Sequence, residues 1–329
     1  MLRSMYSGIS GLKNFQTKLD VIGNNISNVN TYGFKKERTI FKDLISQTQA
    51  GASAPSATRG GVNMIQVGLG SQLAAIDTMH NAGSMQTTGR TLDLAISGDG
   101  FFMVADAVDF DQGDAANGVP ATAEGFTNTL YTRAGNFYMD RNGFLVNGDG
   151  KYLVGFAADV TDYDAIDPTA APGSGFDENR LQVAAGANLI DPDTGELLEQ
   201  GAATATPIRI PTTAQSMSIS QDGTISFVDS AGDLQYAGTV VLAKFANASG
   251  LEKTGSNYFR TTPNSGVTYA QLGTQDGIGS INSGFMEMSN VDLSEEFTEM
   301  IVAQRGFQAN SRIITTSDEI LQELVNLKR

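Results

Sequence analysis

Few residues of this sequence belong to the types that carry out chemistry. The 329-residue chain has one histidine, His80, and no cysteine. Disulfides, thiolate chemistry and the common zinc sites rely on those two residue types and are not expected. A hydrolase needs a nucleophile, a base and an orienting group that converge, and no Gly-x-Ser-x-Gly elbow accompanies His80. We therefore interpret His80 as a structural or surface residue and predict no catalytic residue, cofactor or metal.

Three turns rich in acidic residues and glycine have the composition of ligand loops. Residues 148–151 lack the earlier glycine, the following Ser or Thr and the helix of a phosphate loop. Residues 140–143 and 191–196 lack the full spacing of a calcium loop. Because Asp and Gly are the residues that tight turns demand, β-turns are the favoured interpretation. A secreted glycan hydrolase using carboxylates around Asp140 and Asp149 is a remote alternative.

The net charge and the hydropathy of the sequence argue against two classes of partner, nucleic acids and membranes. Asp and Glu total 36 against 21 Lys and Arg, a formal charge of −15, so nucleic acid would be repelled. No apolar run approaches the ~20 residues of a membrane span, and the N-terminus has no apolar core of a cleavable signal. We expect no nucleic-acid or membrane partner, and any exit from the cell by another route.

Both ends of the chain carry apolar residues at helical spacing. The first series is Leu2, Met5, Ile9, Leu12, Leu19, Ile22 and Ile26. The second is Leu293, Phe297, Met300, Phe307, Ile314, Leu321 and Leu324, of which four follow the seven-residue repeat of a coiled coil. Asp292 can cap the second helix, whereas the Asn-rich segment 23–31 should fray the end of the first.

Between these ends the apolar period changes to two, interrupted by tight turns. Three segments, 92–104, 137–146 and 217–227, read as strand, turn and strand. We predict an α+β fold in which a coiled coil of terminal helices joins a central, mainly β domain of hairpins. The predicted parts are helices in 1–32 and 288–329, an extended connector 33–70, a β domain 71–157 and 207–287, and an inserted segment or small outer domain 158–206.

The apolar stripes suggest a use for the helices. Each large apolar side chain contributes ~1.5 to 3 kcal/mol when buried, and one pair of helices shields only part of two stripes. Isolated helices are also marginal in water. We therefore expect the stripe residues to form a subunit interface, with the ends mobile in the monomer and folding on assembly.

Four segments resemble flagellar rod and hook subunits. The N-terminal signature VIGNNISNVNTYGFK, residues 21–35, includes Asn24, Asn25, Asn28, Gly33 and Phe34. The other segments are 86–102, 131–137 and 283–293. The resemblance implies an inner tube of coiled terminal helices with the β domain outside it. It also implies uncleaved export through the flagellar type III channel, whose gate motif is matched by Phe41 and Ile45.

Within that family the two ends of the chain and the inserted segment look like hook proteins of Gram-positive bacteria. The resemblance implies a flexible tubular hook outside the cell that transmits motor torque to the filament. Its partners would be other copies of itself, rod subunits, the hook cap, hook–filament junction proteins and the flagellar export gate. The alternative is a distal rod subunit of the basal body, a stiffer part that a long connector would suit.

Overall fold

The computed structural model of the protein describes residues 2–55, 59–108, 125–157 and 207–327. Its two long helices come from the ends of the chain and its strands come from between them, which confirms the α+β class. The predicted insertion 158–206, including the turn at 191–196, lies outside the described residues. The side chains of Leu2 and Leu324 are also outside this description.

The described residues contain two α-helices, one 3-10 helix and 21 strands. The helices are α1 (Leu2–Ser27), α2 (Leu293–Asn326) and the 3-10 turn Ala248–Gly250. The strands are β1 (Glu37–Asp43), β2 (Ser46–Ala50), β3 (Ile65–Gly68), β4 (Ser71–Thr78), β5 (Met85–Thr87), β6 (Leu94–Ser97), β7 (Phe101–Val108), β8 (Gly125–Thr132), β9 (Tyr138–Met139), β10 (Leu145–Val146), β11 (Tyr152–Leu153), β12 (Gly155–Ala157), β13 (Ser216–Ile219), β14 (Thr224–Val228), β15 (Leu234–Val240), β16 (Leu242–Lys244), β17 (Glu252–Gly255), β18 (Tyr258–Arg260), β19 (Tyr269–Gln271), β20 (Ser280–Ser283) and β21 (Phe285–Glu287).

The chain divides into two compact units. The terminal unit contains Met1–Val29, Lys35–Met79 and Val291–Arg329. The β unit contains Asn30–Phe34 and His80–Asn290. Residues 71–79, which the sequence pattern assigns to the β domain, therefore fall in the terminal unit.

The helices of the terminal unit begin and end where local sequence signals place them. Asp292 caps α2, its carboxylate accepting from the backbone N–H groups of Ser294 at 2.8 Å and Glu295 at 3.4 Å. This is the cap that the sequence predicts. Helix α1 ends at Ser27, inside the Asn-rich segment.

Residues 33–70, predicted as an extended connector, are largely paired strands. β1 pairs antiparallel with β4, and β2 pairs antiparallel with β3. Together these four strands form one long hairpin, which we call the long hairpin. Every residue of β2 and β3 is exposed, so these strands lack the alternation of burial that identifies a strand in a sequence.

The β unit is built from antiparallel sheets. A nine-stranded sheet runs β17-β18-β8-β7-β11-β10-β9, with β16 joining β7 to β19. A four-stranded sheet runs β12-β15-β14-β13, and two further pairs are β6 with β20 and β5 with β21. Two clusters of buried apolar side chains pack on these sheets.

Two of the three predicted hairpins are present and one is wrong. β9 pairs with β10 in residues 137–146, and β13 pairs with β14 in residues 217–227. In residues 92–104, however, β6 pairs with β20 while β7 pairs with β8, β11 and β16. Gly98 and Gly100 have positive φ angles of 112° and 138°, and the chain between them leads β7 away from β6 into another sheet.

Candidate assembly surface

Helices α1 and α2 pack on each other in antiparallel fashion through small residues. A Cβ atom on Gly306 would lie 2.6 Å from the ring of Phe15, and one on Gly11 would lie 2.8 Å from the Asn310 side chain. The missing side chains let the two backbones approach closely. The structure shows both helices formed and packed on each other within one chain. Their folding on assembly stays a prediction.

The predicted interface residues divide between this seam and the surface. Half-buried residues are Met5, Leu12, Leu19, Ile26, Met300, Ile314 and Leu321, and Ile22 is fully buried. Exposed residues are Ile9, Leu293, Phe297 and Phe307. The sequence pattern alone could not separate the side chains that join the two helices from those that face outward.

A second apolar stripe on α2 was not predicted. Val302, Ala309, Ile313 and Ile320 are all exposed and are spaced seven, four and seven residues apart, so they share one face of the helix. We call these four residues the outer stripe. The signal for it was present in the sequence as a second helical periodicity, displaced from the predicted seam.

The long hairpin exposes further apolar surface. Between Leu44 and Ile76 only Arg59 is charged. Ile45 is 79% exposed, and Val62 and Ile65 are also exposed. Among the described residues, nineteen of the 23 exposed large apolar side chains belong to the terminal unit and four to the β unit. Over the described ranges, exposed large apolar side chains are therefore concentrated in the terminal unit.

The signature residue Asn25 is buried at one end of the helix pair. Its Nδ2 donates to the backbone oxygen of Glu37 at 2.9 Å and to Oε2 of Glu296 at 3.2 Å. Its Oδ1 accepts from the backbone N–H of Glu37 at 3.0 Å. One carboxamide thus ties α1 to both α2 and β1. Nearby, Asn28 Nδ2 donates to the backbone oxygen of Asn24 at 2.9 Å and satisfies a carbonyl at the helix end.

Charged groups surround this contact. Nζ of Lys36 lies 2.8 Å from Glu295 and 3.9 Å from Glu296. Burial raises the pKa of Glu296, while donation by Asn25 and attraction by Lys36 lower it. Because burial is the largest of these effects, Glu296 is a carboxylate kept from water at a cost.

The other signature residues lie in the β unit. Gly33 has a φ of 70°, donates its N–H to the Glu287 backbone oxygen at 2.8 Å, and would place a Cβ 2.6 Å from the Ala134 nitrogen. Phe34 is buried, with Nζ of Lys253 5.0 Å from its ring centroid. Both residues are thus required for packing within the chain.

Two more family-like segments meet at a buried ion pair. Nη1 of Arg133 lies 3.3 Å from Oε2 of Glu287, and the two side chains are 2% and 1% exposed. Arg133 also donates to the Gly98 backbone oxygen at 2.8 Å, and Glu287 accepts from the Gly83 N–H at 2.9 Å. Burial lowers the pKa of Arg133, and Glu287 opposes that shift.

The residues that the sequence analysis weighed for catalysis or metal binding make contacts that stabilise the fold. His80 packs edge-on against Phe101 and Phe259, with ring centroids 5.5 and 5.4 Å apart. Asp140 accepts from the backbone N–H groups of Asn142 and Phe144, both at 2.8 Å, as an Asx turn requires. The Tyr258 hydroxyl donates to Asp149. Within the described ranges no group of three or more His, Cys, Asp or Glu residues could hold a metal ion.

The proposed export residues lie in the long hairpin. Phe41 is half-buried in β1, opposite Leu73 of β4, and Ile45 lies between β1 and β2. Neither α1 nor α2, over the residues that are described, is long and apolar enough to cross a membrane.

Three models of known protein families match the chain. "Flagella basal body rod protein" matches residues 5–35, and "Flagellar hook protein FlgE/F/G D1 domain" matches residues 121–227. "Flagellar basal body rod FlgEFG protein C-terminal" matches residues 282–327. The matched regions include the N-terminal signature, the centre and the last helix.

Individual relatives match along the full length. Flagellar basal-body rod protein FlgG of Bacillus subtilis is 51% identical over 330 residues, which covers 100% of both chains. Flagellar hook protein FlgE of Borreliella burgdorferi is 33% identical over 444 residues, again covering 100% of both. A crystal structure of Helicobacter pylori flagellar hook protein FlgE2 gives a TM-score of 0.36 at 10% identity, over 62% of this chain and 100% of that one, which is too distant to support an argument.

A unit on which the exposed apolar side chains of the described residues are concentrated is typical of a protein that associates with other proteins. The chain belongs to the FlgE/F/G family of flagellar rod and hook proteins. That family is a structural component of the bacterial flagellum and not an enzyme family, and its members form the axial polymers of the flagellum together with other components.

Proposed function

We propose that the protein polymerises through the apolar surface of its terminal unit, with copies of itself as the main partner. The concentration of exposed apolar side chains on that unit carries the proposal. Such surface is uncommon in a monomer, and a neighbouring molecule that covers it gains the free energy of burial.

The outer stripe is the proposed contact to a second copy. Val302, Ile313 and Ile320 are 58%, 42% and 48% exposed. Burying the remaining surface contributes about 1 kcal/mol for each side chain. The contribution recurs in every copy of a polymer. Helical spacing along the stripe fits a partner helix better than a strand, because residues seven apart repeat along one side of a helix.

The seam between α1 and α2 is the proposed coiled coil of the inner tube. Met300, Phe307, Ile314 and Leu321 follow a seven-residue repeat. Met300, Ile314 and Leu321 are half-buried, and Cγ1 of Ile314 lies 3.3 Å from where a Cβ on Gly8 of α1 would be. Phe307 and Ile9 remain exposed and extend the apolar surface toward a neighbour. Leu293 and Phe297 do the same at the start of α2.

The remaining partners follow from a position in the axial structure. We infer contacts with rod subunits at one end of the polymer and with the hook cap or hook–filament junction proteins at the other. Export through the flagellar gate would use the unfolded chain, and Phe41 with Ile45 is the proposed gate motif. Replacing both with Ser should abolish secretion in a cell. Because Ile45 also belongs to the exposed apolar surface of the terminal unit, Phe41→Ser alone is the cleaner variant. Normal secretion of both variants would show that Phe41 and Ile45 are not the gate motif.

Substitutions on α2 test the assembly surface. Phe307→Asp and Ile313→Asp would bury a charge in the proposed contacts, which costs several kcal/mol, so polymers should fail to form. Ile9→Asp should act in the same way. Thr315→Asp is the matched control for the outer stripe, because residue 315 is exposed and points to the opposite side of the helix from residue 313.

Sedimentation and electron microscopy of the purified chain would measure polymer formation. Near-ultraviolet circular dichroism would show that the β unit stays folded in all four variants. Normal polymers from Ile313→Asp would show that the outer stripe is not part of the interface. Normal polymers from Ile9→Asp, Phe307→Asp and Ile313→Asp alike would overturn the proposed function.

Two positions along the axis each have an observation in their favour. The end motifs, Met1–Leu12 and 324–329, favour the hook and its role as a flexible joint transmitting torque. The full-length identity of 51% to a relative named as a rod protein favours the rod, and the long hairpin suits a stiff shaft. Electron microscopy of basal bodies from a deletion strain separates them: a completed rod without a hook assigns the hook, and an incomplete rod assigns the rod.

A further inference from the structure

The heptad pattern of apolar residues alone does not select one alignment of the two helices. In α1 the apolar residues Met5, Leu12, Leu19 and Ile26 recur every seven positions. In α2 the residues Met300, Phe307, Ile314 and Leu321 do the same. Sliding one helix along the other by seven residues, about 10.5 Å, would again set heptad apolar residues of α1 against heptad apolar residues of α2. The heptad pattern by itself therefore permits more than one alignment.

A buried polar contact breaks this equivalence. Asn25 and Glu296 are 1% and 5% exposed, and Asn25 Nδ2 lies 3.2 Å from Glu296 Oε2. A slip of seven residues in one direction would place Asn25 beside buried Ala303, and a slip in the other direction would move it beyond the start of α2. Either slip separates two buried polar groups, each of which is costly to leave unsatisfied.

The same side chain also fixes the root of the long hairpin. Asn25 Oδ1 accepts from the Glu37 N–H at 3.0 Å, while Nδ2 donates to the Glu37 carbonyl at 2.9 Å. Glu37 is the first residue of β1. A change in helix alignment would therefore have to break the attachment of the hairpin or drag it along.

We propose that Asn25 and Glu296 are a register-determining pair, which selects one heptad alignment of α1 on α2 and, through Asn25, ties that alignment to the start of the long hairpin. A buried polar residue at a seam position has this effect in coiled coils. The inference goes beyond polymerisation, because it concerns the geometry of one chain. An alternative determinant of the helix alignment is the close packing of Phe15 against Gly306.

The absence of cysteine makes disulfide trapping a direct test. A Cβ on Gly8 would lie 3.3 Å from Cγ1 of Ile314, so the pair Gly8→Cys with Ile314→Cys reports the observed alignment. Gly8→Cys with Phe307→Cys and Gly8→Cys with Leu321→Cys report slips of one heptad in either direction. Each pair is placed in the parent chain and in Glu296→Leu, Asn25→Leu and Glu296→Gln backgrounds.

In the parent only the pair at 8 and 314 should form a disulfide under mild oxidation. In Glu296→Leu and Asn25→Leu the slipped pairs should also form, while far-ultraviolet circular dichroism keeps its helical signal. Glu296→Gln retains an acceptor for Asn25 and should restore the single native disulfide. Glu299→Gln, which removes an ion pair with Lys18 one turn away at 3.0 Å, is the matched control and should also give only the native disulfide.

Three results would overturn the proposal. Exclusive native trapping in Glu296→Leu and Asn25→Leu would assign the register to Phe15 and Gly306. Loss of helix in those backgrounds would show a role in stability instead, and failure of the native pair in the parent would show a different alignment. All measurements use the dispersed full-length chain, so they do not depend on whether the protein polymerises.

Discussion

The buried pair Arg133 and Glu287 gives a quantitative test of how the family-like segments hold the β unit together. Both side chains are almost completely excluded from water, and each also bonds to the backbone, the guanidinium to Gly98 and the carboxylate to Gly83. Replacing Arg133 with Met leaves the carboxylate buried without its ionic partner. Replacing Glu287 with Leu leaves the guanidinium buried without its nearest carboxylate.

Each single substitution should lower the free energy of unfolding of the β unit by about 3–5 kcal/mol, because it strands a buried charge. The double variant Arg133→Met/Glu287→Leu strands no charge. It still leaves the Gly83 N–H and the Gly98 carbonyl without the side chains they bond to, at about 1–3 kcal/mol each. The double variant should therefore cost less than the sum of the two single variants by about 2 kcal/mol or more.

Urea unfolding of the full-length chain measures these differences. The chain has no tryptophan, so fluorescence and near-ultraviolet dichroism report tyrosines, among them buried Tyr131 of the β unit. Arg260→Met is the matched control, since Arg260 and Glu252 form an ion pair of 2.8 Å with both side chains more than half exposed, and should cost less than about 1 kcal/mol. Single variants as mild as this control, or a double variant equal to their sum, would refute the reasoning.

Two further predictions concern the signature residues. Gly33→Ala should destabilise the β unit by about 2 kcal/mol or more, because Gly33 combines a positive φ with a close backbone contact. Gly89→Ala is the control and should cost about half as much, since Gly89 has a φ of 72° but open space around it. Equal midpoints of thermal unfolding for the two variants would contradict this prediction. Burial raises the pKa of Glu296, and repulsion from Glu299 and Glu295 raises it further. The hydrogen bond from Asn25 and the charge of Lys36 lower the pKa, but by less than burial raises it. A raised folded-state pKa means that its contribution to stability is fully present below the unfolded-state pKa, about 4.3, and is lost as the pH rises through the folded-state pKa. The unfolding midpoint of the parent minus that of Glu296→Gln should therefore rise between about pH 7 and about pH 5, and a constant difference would count against the burial of this carboxyl.

The helices could be predicted because their signals are local. Apolar spacing identifies both helices, and the carboxylate of Asp292 identifies the start of α2 within its first turn. The two confirmed hairpins are local for the same reason, since each joins strands on either side of a short turn. By contrast, β6 pairs with β20, nearly two hundred residues away, and no pattern within 92–104 contains that information.

The assembly surface could be predicted only in part. A helical period shows that a residue faces one side, and it does not show whether that side meets the same chain or another one. In this chain Gly11 and Gly306 let the two helices approach closely, so part of the predicted stripe is buried between them and is not available to another chain. The long hairpin was missed because a ribbon exposed on both faces has no period of burial.

The same distinction explains why the sequence identifies the family more readily than the position within the flagellum. Asn25, Gly33 and Phe34 are buried, and their partners are other parts of the same chain. The identity of such residues depends on packing within one chain, and rod and hook subunits would have that fold in common. The choice of neighbour must instead depend on exposed side chains, on the outer stripe and on the long hairpin. Exchanging the long hairpin or the outer stripe with those of a hook relative should therefore alter where a subunit is incorporated, whereas exchanging the signature segment 21–35 should not.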